Sequence, residues 1–211
     1  MRKLLATLLQ VRLAVAVIAA LGIAFLVVGV LIGMPPFAYI VIGLLIAAPT
    51  LFYIYKPRES ALTNAKALTV FFGATVATLL IIQLIPFGKD HSNPPVNGEP
   101  AWSTPRTREL MVNACFGCHS NSVEYPAYAS VAPISWTVQS HIDEGREKVN
   151  YQEWNSRQRE AEETIEVIKE GSMPPSYYTM FGKHPEAKLT DAEISELITG
   201  LLATGGMNEN D

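Results

Sequence analysis

The stretch Ala114-Cys115-Phe116-Gly117-Cys118-His119 carries the pattern C-x-x-C-H, and every other feature of the 211-residue chain takes its meaning from it. Two thiols three positions apart at the end of a helix can reach the two vinyl groups along one porphyrin edge. His119 then lies beneath the iron and can offer its imidazole as the proximal axial ligand, the arrangement of a covalent c-type haem attachment site. Three other uses of the stretch compete. A dithiol redox pair of the thioredoxin kind calls for a βαβ pattern, and none is visible around it. A closed zinc site calls for a fourth ligand at short spacing, whereas the next histidine is His141. A disulfide framework calls for more cysteines, and the chain has two. One covalent haem c is the expected cofactor.

Composition divides the chain. Hydrophobic residues make up 49% and charged residues 17%, and the halves differ sharply. Residues 1–88 hold six Lys/Arg and one acid, Glu59, whereas residues 89–211 hold ten Lys/Arg against nineteen Asp/Glu, a balance of −9. A greasy, basic half therefore precedes an acidic, polar one. The acidic half lacks the basic face that nucleic-acid binding requires.

In the first half, three uncharged apolar runs stand out at about 13–33, 37–55 and 67–86. Each has about 20 residues, the length that crosses roughly 30 Å of hydrocarbon as a helix. A cleaved signal peptide has a shorter apolar core and leads into a soluble domain; here two more runs come after it, so the first reads as a retained span. Met34-Pro35-Pro36 joins the first two as a tight hairpin, and Pro49 is positioned to kink the second. Two segments that flank the spans are basic: Arg2, Lys3 and Arg12 before the first, and Lys56, Arg58 and Lys66 between the second and third. Both segments are expected in the cytoplasm. Three spans then deliver the polar half to the periplasmic, extracytoplasmic side of the cytoplasmic membrane, the side on which c-type haem is attached. The spans contain no His, Asp or Glu, so they neither ligate a membrane haem nor carry a relay of ionisable groups. Gly29-x-x-x-Gly33, Gly43-x-x-x-Ala47 and Gly73-x-x-x-Ala77 are small-xxx-small patterns, suited to packing of the three helices on one another or on another membrane subunit.

Residues 89–104 read as an extended, Pro-rich linker, with Pro94, Pro95 and Pro100, and Trp102 as an apolar dock onto the polar domain. That domain, 105–211, shows helical signals and no alternating strand. A first helix opens at Ser103 or Thr104 as cap with Pro105 next, and runs to the C-x-x-C-H motif. Asn121–Pro133 reads as a loop, and further helices are expected at about 135–148 and 160–170. In the last helix Thr190-Asp191-Ala192-Glu193 is a capping box, and Ile194, Leu197, Ile198, Leu201 and Leu202 form one apolar stripe. The expected fold is all-α: three transmembrane helices, then a small cytochrome c-like helical haem domain.

The second face of the iron decides the chemistry. Met173 lies in Gly171-Ser172-Met173-Pro174-Pro175, where two prolines restrict a loop able to hold a thioether. A gap-filling core role is the alternative for it. His184 and Met180 are other candidate ligands, as is a vacant face open to gases or peroxide. Met111 suits the core, Met207 a frayed tail, and His141 a packing or surface role. Ligation by His119 and Met173 would raise the haem potential and close both faces, favouring electron transfer over catalysis.

From about residue 93 to 204 the chain resembles the bacterial haem-binding domain family, mono-haem proteins similar to cytochrome c. The resemblance rests on Asn93-Pro94-Pro95, Ala114–Ser120, Ala132-Pro133-Ile134-Ser135-Trp136, and His141 followed by Glu144-Gly145-Arg146. It continues through Asn150, Trp154, Gly171-Ser172-Met173-Pro174-Pro175, His184-Pro185, Leu189 and Glu193. It implies haem attachment by Cys115, Cys118 and His119, with Met173 as distal ligand. Two features depart from the family. Tyr125-Pro126-Ala127-Tyr128 stands where members commonly have Trp-Pro-Trp-Tyr, and the three spans replace a single amino-terminal helix or signal.

The function expected from these features is single-electron transfer by a membrane-anchored c-type cytochrome, not an enzyme, within a larger respiratory or photosynthetic complex. Its acidic domain favours a basic redox partner. A haem-based sensor or small haem enzyme with a displaceable distal ligand is the alternative, and a mainly structural complex subunit a third.

Overall fold

The computed structural model describes residues 6, 9, 11–56 and 63–207. Arg2, Lys3, Arg58 and Glu59 lie outside the described residues. Among the described residues every regular element is a helix and there is no strand. The chain divides into two compact units, one of residues 1–89 with 128–137, the other of residues 90–127 with 138–211.

In the first unit α1 (Arg12–Leu31), α2 (Pro36–Tyr55) and α3 (Asn64–Ile81) are the long apolar helices, α3 running on through a 3-10 turn at Ile82–Leu84. Mean hydropathy is 2.9 for α1, 2.2 for α2 and 2.1 for Asn64–Leu84, so all three are long and apolar enough to cross a membrane. Their ends fall within three residues of the runs read from sequence. Ile23, Val30, Leu44, Phe52 and Leu80 all point outward, exposed. In water that surface would be costly; in hydrocarbon it is matched.

The hairpin between α1 and α2 turns at Gly33, whose φ of +65° suits a residue without Cβ, and the Met34 N–H caps α1 on the Gly29 carbonyl at 2.8 Å. Pro36 takes the first position of α2, where a missing N–H costs nothing. Gly29 is small because Tyr39 of α2 lies on it: a Cβ there would sit 2.5 Å from the Tyr39 hydroxyl. Gly43 and Gly73 meet nothing within 4 Å of the same point. The three small-residue patterns thus divide, one used inside the unit and two facing outward. At the other end, Asn64 accepts the Ala14 N–H through Oδ1 at 3.0 Å, tying α3 to α1.

Tyr128–Thr137 belongs to this first unit. Ala132 and Trp136 are buried with Met34, Ala38, Ile42 and Ile82, and the Phe37 ring lies 5.4 Å from both Trp136 and Phe87. The Gln83 side chain donates to the Ala132 carbonyl at 2.8 Å and accepts its N–H at 3.0 Å.

The second unit begins with the segment read as a linker. Asp90–Trp102 forms no regular element, yet it is bonded along its length. Asn93 Nδ2 donates to the Val123 carbonyl at 2.9 Å. The Asn97 N–H donates to Gln152 O at 2.7 Å, and the Trp154 N–H to Gly98 O at 3.2 Å. Trp102 packs on Phe116 and Tyr151. A strap with its backbone groups paired in this way is part of the domain.

Then come α4 (Pro105–Ala114), α5 (Phe116–His119), α6 (Ile134–Lys148), α7 (Thr164–Lys169), α8 (Ser176–Thr179) and α9 (Asp191–Leu202). Helix α6 starts in the first unit and continues from Val138 in the second. Thr104 caps α4, accepting the Thr107 N–H at 3.0 Å, and the Thr190/Glu193 capping box opens α9. Helix α9 approaches α4 closely because Gly200 lies against Thr107, where a Cβ would be 2.1 Å from Oγ1. The core between them holds Leu110, Met111, Phe116, Tyr151, Ile165, Ile168, Leu197 and Leu201. Met207 is fully buried in the same cluster, not in a loose tail.

Candidate functional site

Cys115 sits at the junction of α4 and α5. Its N–H closes α4 on the Met111 carbonyl at 2.8 Å, while its own carbonyl accepts the N–H groups of Cys118 at 3.2 Å and His119 at 3.0 Å. One tight turn therefore gathers both thiols and the imidazole. The His119 carbonyl accepts the Tyr151 N–H at 2.9 Å, and the Arg146 guanidinium donates to the Ser120 carbonyl at 2.8 Å and Asn93 Oδ1 at 3.0 Å. Gly145 of α6 presses on the motif: a Cβ would lie 3.0 Å from the Cys118 carbonyl oxygen and 3.1 Å from its Cβ. That position tolerates little else.

His119 Nδ1 lies 2.9 Å from the Val149 carbonyl. A carbonyl only accepts, so Nδ1 carries the proton and Nε2 keeps its lone pair. Burial holds the imidazole pKa below its ordinary value, against hydrogen bonds to the Val149 and Gly145 carbonyls that raise it. His119 is thus neutral at physiological pH, as an iron ligand must be. Both cysteines keep some exposed surface as residues, but their sulfurs lie among protein atoms. Burial pushes Cys115 up to about 12, with Cys118 adding to the shift. Burial pushes Cys118 up to about 11, opposed by the Arg146 charge. Both are neutral thiols.

Met173 lies beyond the carboxyl end of α7, whose Val167 carbonyl accepts the N–H groups of Ser172 at 3.1 Å and Met173 at 3.2 Å. Met173 is 40% exposed, unlike Met111 and Met207 at 0%, so it is not filling a gap in the core. The same segment folds back onto the C-x-x-C-H turn. Tyr178 lies on Gly117, where a Cβ would be 2.2 Å from its hydroxyl. The Tyr177 phenol is pushed up to about 12 by burial, with the nearby Cys118 and Glu144 adding to the shift.

Both histidine candidates are engaged. His184 stacks on Tyr178 with ring centroids 4.1 Å apart, and its Nδ1 is 3.3 Å from Glu186 Oε1. His141 stacks on Tyr177 at 4.6 Å. Met180 opens a 3-10 turn, Met180–Gly182, next to α8. Sequence reasoning passed over Val149, Tyr177 and Tyr178. A carbonyl partner leaves no trace in residue identity, and only the smallness of Gly117 hints at a close neighbour.

The donor set suits a porphyrin better than a bare ion. Among the described residues no three His, Cys, Asp or Glu side chains come together as a metal cluster, whereas one turn presents two neutral thiols and an imidazole with Nε2 free. No curated protein and no solved structure matches the chain. Residues 77–203 do match a family, described as a haem-binding domain. That match starts within α3, upstream of the resemblance read from sequence, and covers more than half of the 211 residues. With its three long apolar helices and a helical domain built round Cys115, Cys118 and His119, the chain belongs to the haem-binding domain family.

Proposed function

We propose that the chain is a membrane-anchored, mono-haem c-type cytochrome that passes single electrons on the extracytoplasmic face, with no catalytic reaction of its own. Bound haem c supplies a one-electron Fe(III)/Fe(II) couple. The protein's part is to attach it through the Cys115 and Cys118 sulfurs and to hold the imidazole in the ligating tautomer. Met173 offers the second axial ligand, which raises the potential and favours electron transfer over substrate binding. The single observation that carries this reading is the Nδ1–H of His119 fixed on the Val149 carbonyl inside a C-x-x-C-H turn.

The basic segments with Arg12, Lys56 and Lys66, against the uncharged Met34-Pro35-Pro36 turn, support a cytoplasmic amino terminus and an outer haem domain in the cytoplasmic membrane. The acidic domain, −9 over residues 89–211, favours a basic redox partner met within a larger electron-transport complex. The second reading is a haem sensor or small haem enzyme with a displaceable distal ligand.

The test is the membrane-purified protein. Haem that stays with the polypeptide on a denaturing gel, with a sulfur-to-iron charge-transfer band in the oxidised spectrum, supports the cytochrome. Haem lost on denaturation refutes covalent attachment. Ready carbon monoxide binding to the reduced protein selects the sensor.

A further inference from the structure

We propose that Tyr178 is a positioning residue for the second axial ligand: by seating its hydroxyl on Gly117, inside C-x-x-C-H, it couples the attachment turn to the loop that carries Met173. The inference rests on the His119/Met173 reading of the site.

Three observations carry it. The first is the contact itself. A Cβ at position 117 would lie 2.2 Å from the Tyr178 hydroxyl oxygen and 3.0 Å from ring atom Cζ, so a glycine is needed there for the tyrosine to stay. Position 117 has no left-handed φ to demand glycine for conformational reasons, so close approach accounts for the choice.

The second is that the tyrosine is not a loose side chain free to swing aside. Its ring lies parallel to His184, at 4.1 Å and an interplanar angle of 3°. His184 holds a left-handed backbone, φ 48°, a conformation a non-glycine residue keeps only when its surroundings enforce it. Phe181, between them, is left-handed too, with φ 58°. The segment closes on itself around the Tyr178–His184 stack, so moving the phenol moves the loop.

The third is the neighbouring pair. Tyr177 stacks on His141 of α6 at 4.6 Å, and the Cys118 sulfur is among the groups that raise its phenol. Two adjacent tyrosines are therefore held in place, Tyr178 on Gly117 of the C-x-x-C-H turn and Tyr177 on His141 of α6. Met173 is five residues before Tyr178, joined to it through Pro174, Pro175 and the single turn α8. Two prolines leave little slack for Met173 to hold its place once Tyr178 has lost its seat.

The experiment uses full-length holoprotein in detergent and the variants Gly117→Ala, Tyr178→Ala, their double, and Tyr178→Phe. Covalent haem content by mass checks loading first. Gly117→Ala and Tyr178→Ala are expected to weaken the sulfur-to-iron band, admit carbon monoxide to the reduced form and lower the potential. The double variant is expected to match either single, because both remove one contact. Tyr178→Phe, which keeps the ring stacked on His184 but removes the hydroxyl that meets Gly117, is expected to fall between the parent protein and Tyr178→Ala. Additive losses, or unchanged spectra in both single variants, overturn the coupling.

Amide hydrogen exchange over residues 171–182 separates this failure from failure of the ligand assignment. If the parent protein lacks the sulfur band, Met173 is not the ligand, yet Gly117→Ala must still speed exchange there about tenfold, the equivalent of ~1.4 kcal/mol. Unchanged exchange sinks the proposal whatever ligates the iron.

Discussion

Gln83 holds Ala132 by both of its backbone groups, accepting the N–H at 3.0 Å and donating to the carbonyl at 2.8 Å. Ala132 is 2% exposed, so water cannot replace either bond. Beside it Trp136, at 0%, packs with Met34, Ala38 and Ile82. Replacing Gln83 with Ala strands two buried backbone groups, at about 1–3 kcal/mol each before relaxation. The expected result is a lower thermal midpoint for the detergent-solubilised protein, with helix content at low temperature preserved. A midpoint equal to that of the parent protein would show that the amide grip contributes nothing.

Glu99 ties the segment ahead of α4 to the haem domain, and its carboxylate sets an acid limit. Arg108 donates to both oxygens, at 2.7 and 2.8 Å, and Gln152 and Trp102 add further bonds. The Arg108 hydrogen bond, foremost, holds the Glu99 pKa down at about 2 against an ordinary 4.5, while burial opposes it. A depressed carboxylate stabilises the fold above its unfolded pKa and loses that contribution as pH falls towards the folded value. The window is therefore about pH 4.5 to 2. Discounted for the half-exposed Arg108, the contribution is about 1–2 kcal/mol. Glu99→Gln should be less stable than the parent protein at pH 7, with the difference shrinking to near zero at about pH 2. Denaturant unfolding at several pH values measures it; a pH-independent difference would rule out the ionised carboxylate as its source.

How far the sequence reaches depends on whether the deciding contact is local. The three spans are legible because about 20 apolar residues without charge have few other uses, and α4 and α9 because their caps are written within four residues. C-x-x-C-H is legible because its chemistry is local too. The proposal of Met173 as distal ligand owes more to resemblance to the family than to its loop prolines. What stayed hidden depends on pairs distant in sequence. Residues 89–104 read as an extended linker because prolines disfavour regular structure, and their partners, Gln152, Trp154 and Val123, carry no mark of the pairing. Ala132 and Trp136 sit in a stretch that reads as part of the polar domain, though they are buried in the unit of the long apolar helices. Tyr178 and Gly117 are 61 positions apart.

Gly145 shows how a single hydrogen can guard the attachment turn. A Cβ there would meet the Cys118 carbonyl oxygen at 3.0 Å and its carbonyl carbon at 3.2 Å, and backbone cannot step aside as a side-chain tip can. In Gly145→Ala either α6 or the motif must shift, a cost of about 1–3 kcal/mol on the scale of overpacked cores. The motif is the weaker of the two, because α5 is a single turn. The variant should show reduced covalent haem per polypeptide by mass and a lower midpoint for the portion that is loaded. Full loading with an unchanged midpoint would mean that the turn accommodates the methyl group.

On the proposed reading, Met173 decides whether the haem carries electrons or receives ligands. Met173 as a residue is 40% exposed, on a loop pinned by the Val167 carbonyl, so removing its side chain leaves the protein core intact. Met173→Ala should lose the sulfur-to-iron band and bind carbon monoxide when reduced. Its potential should fall by a substantial part of the roughly 0.8 V range that axial ligands span. Met173→His should restore six-coordination without the sulfur band and hold the potential low, because imidazole lacks the thioether's preference for reduced iron. The two variants together separate loss of a ligand from loss of a loop, since a loop defect would affect both alike. Equal carbon monoxide binding in the parent protein and Met173→Ala would show that sulfur never held the iron. Met180→Ala and His184→Ala would then find the donor, or show that the face is open.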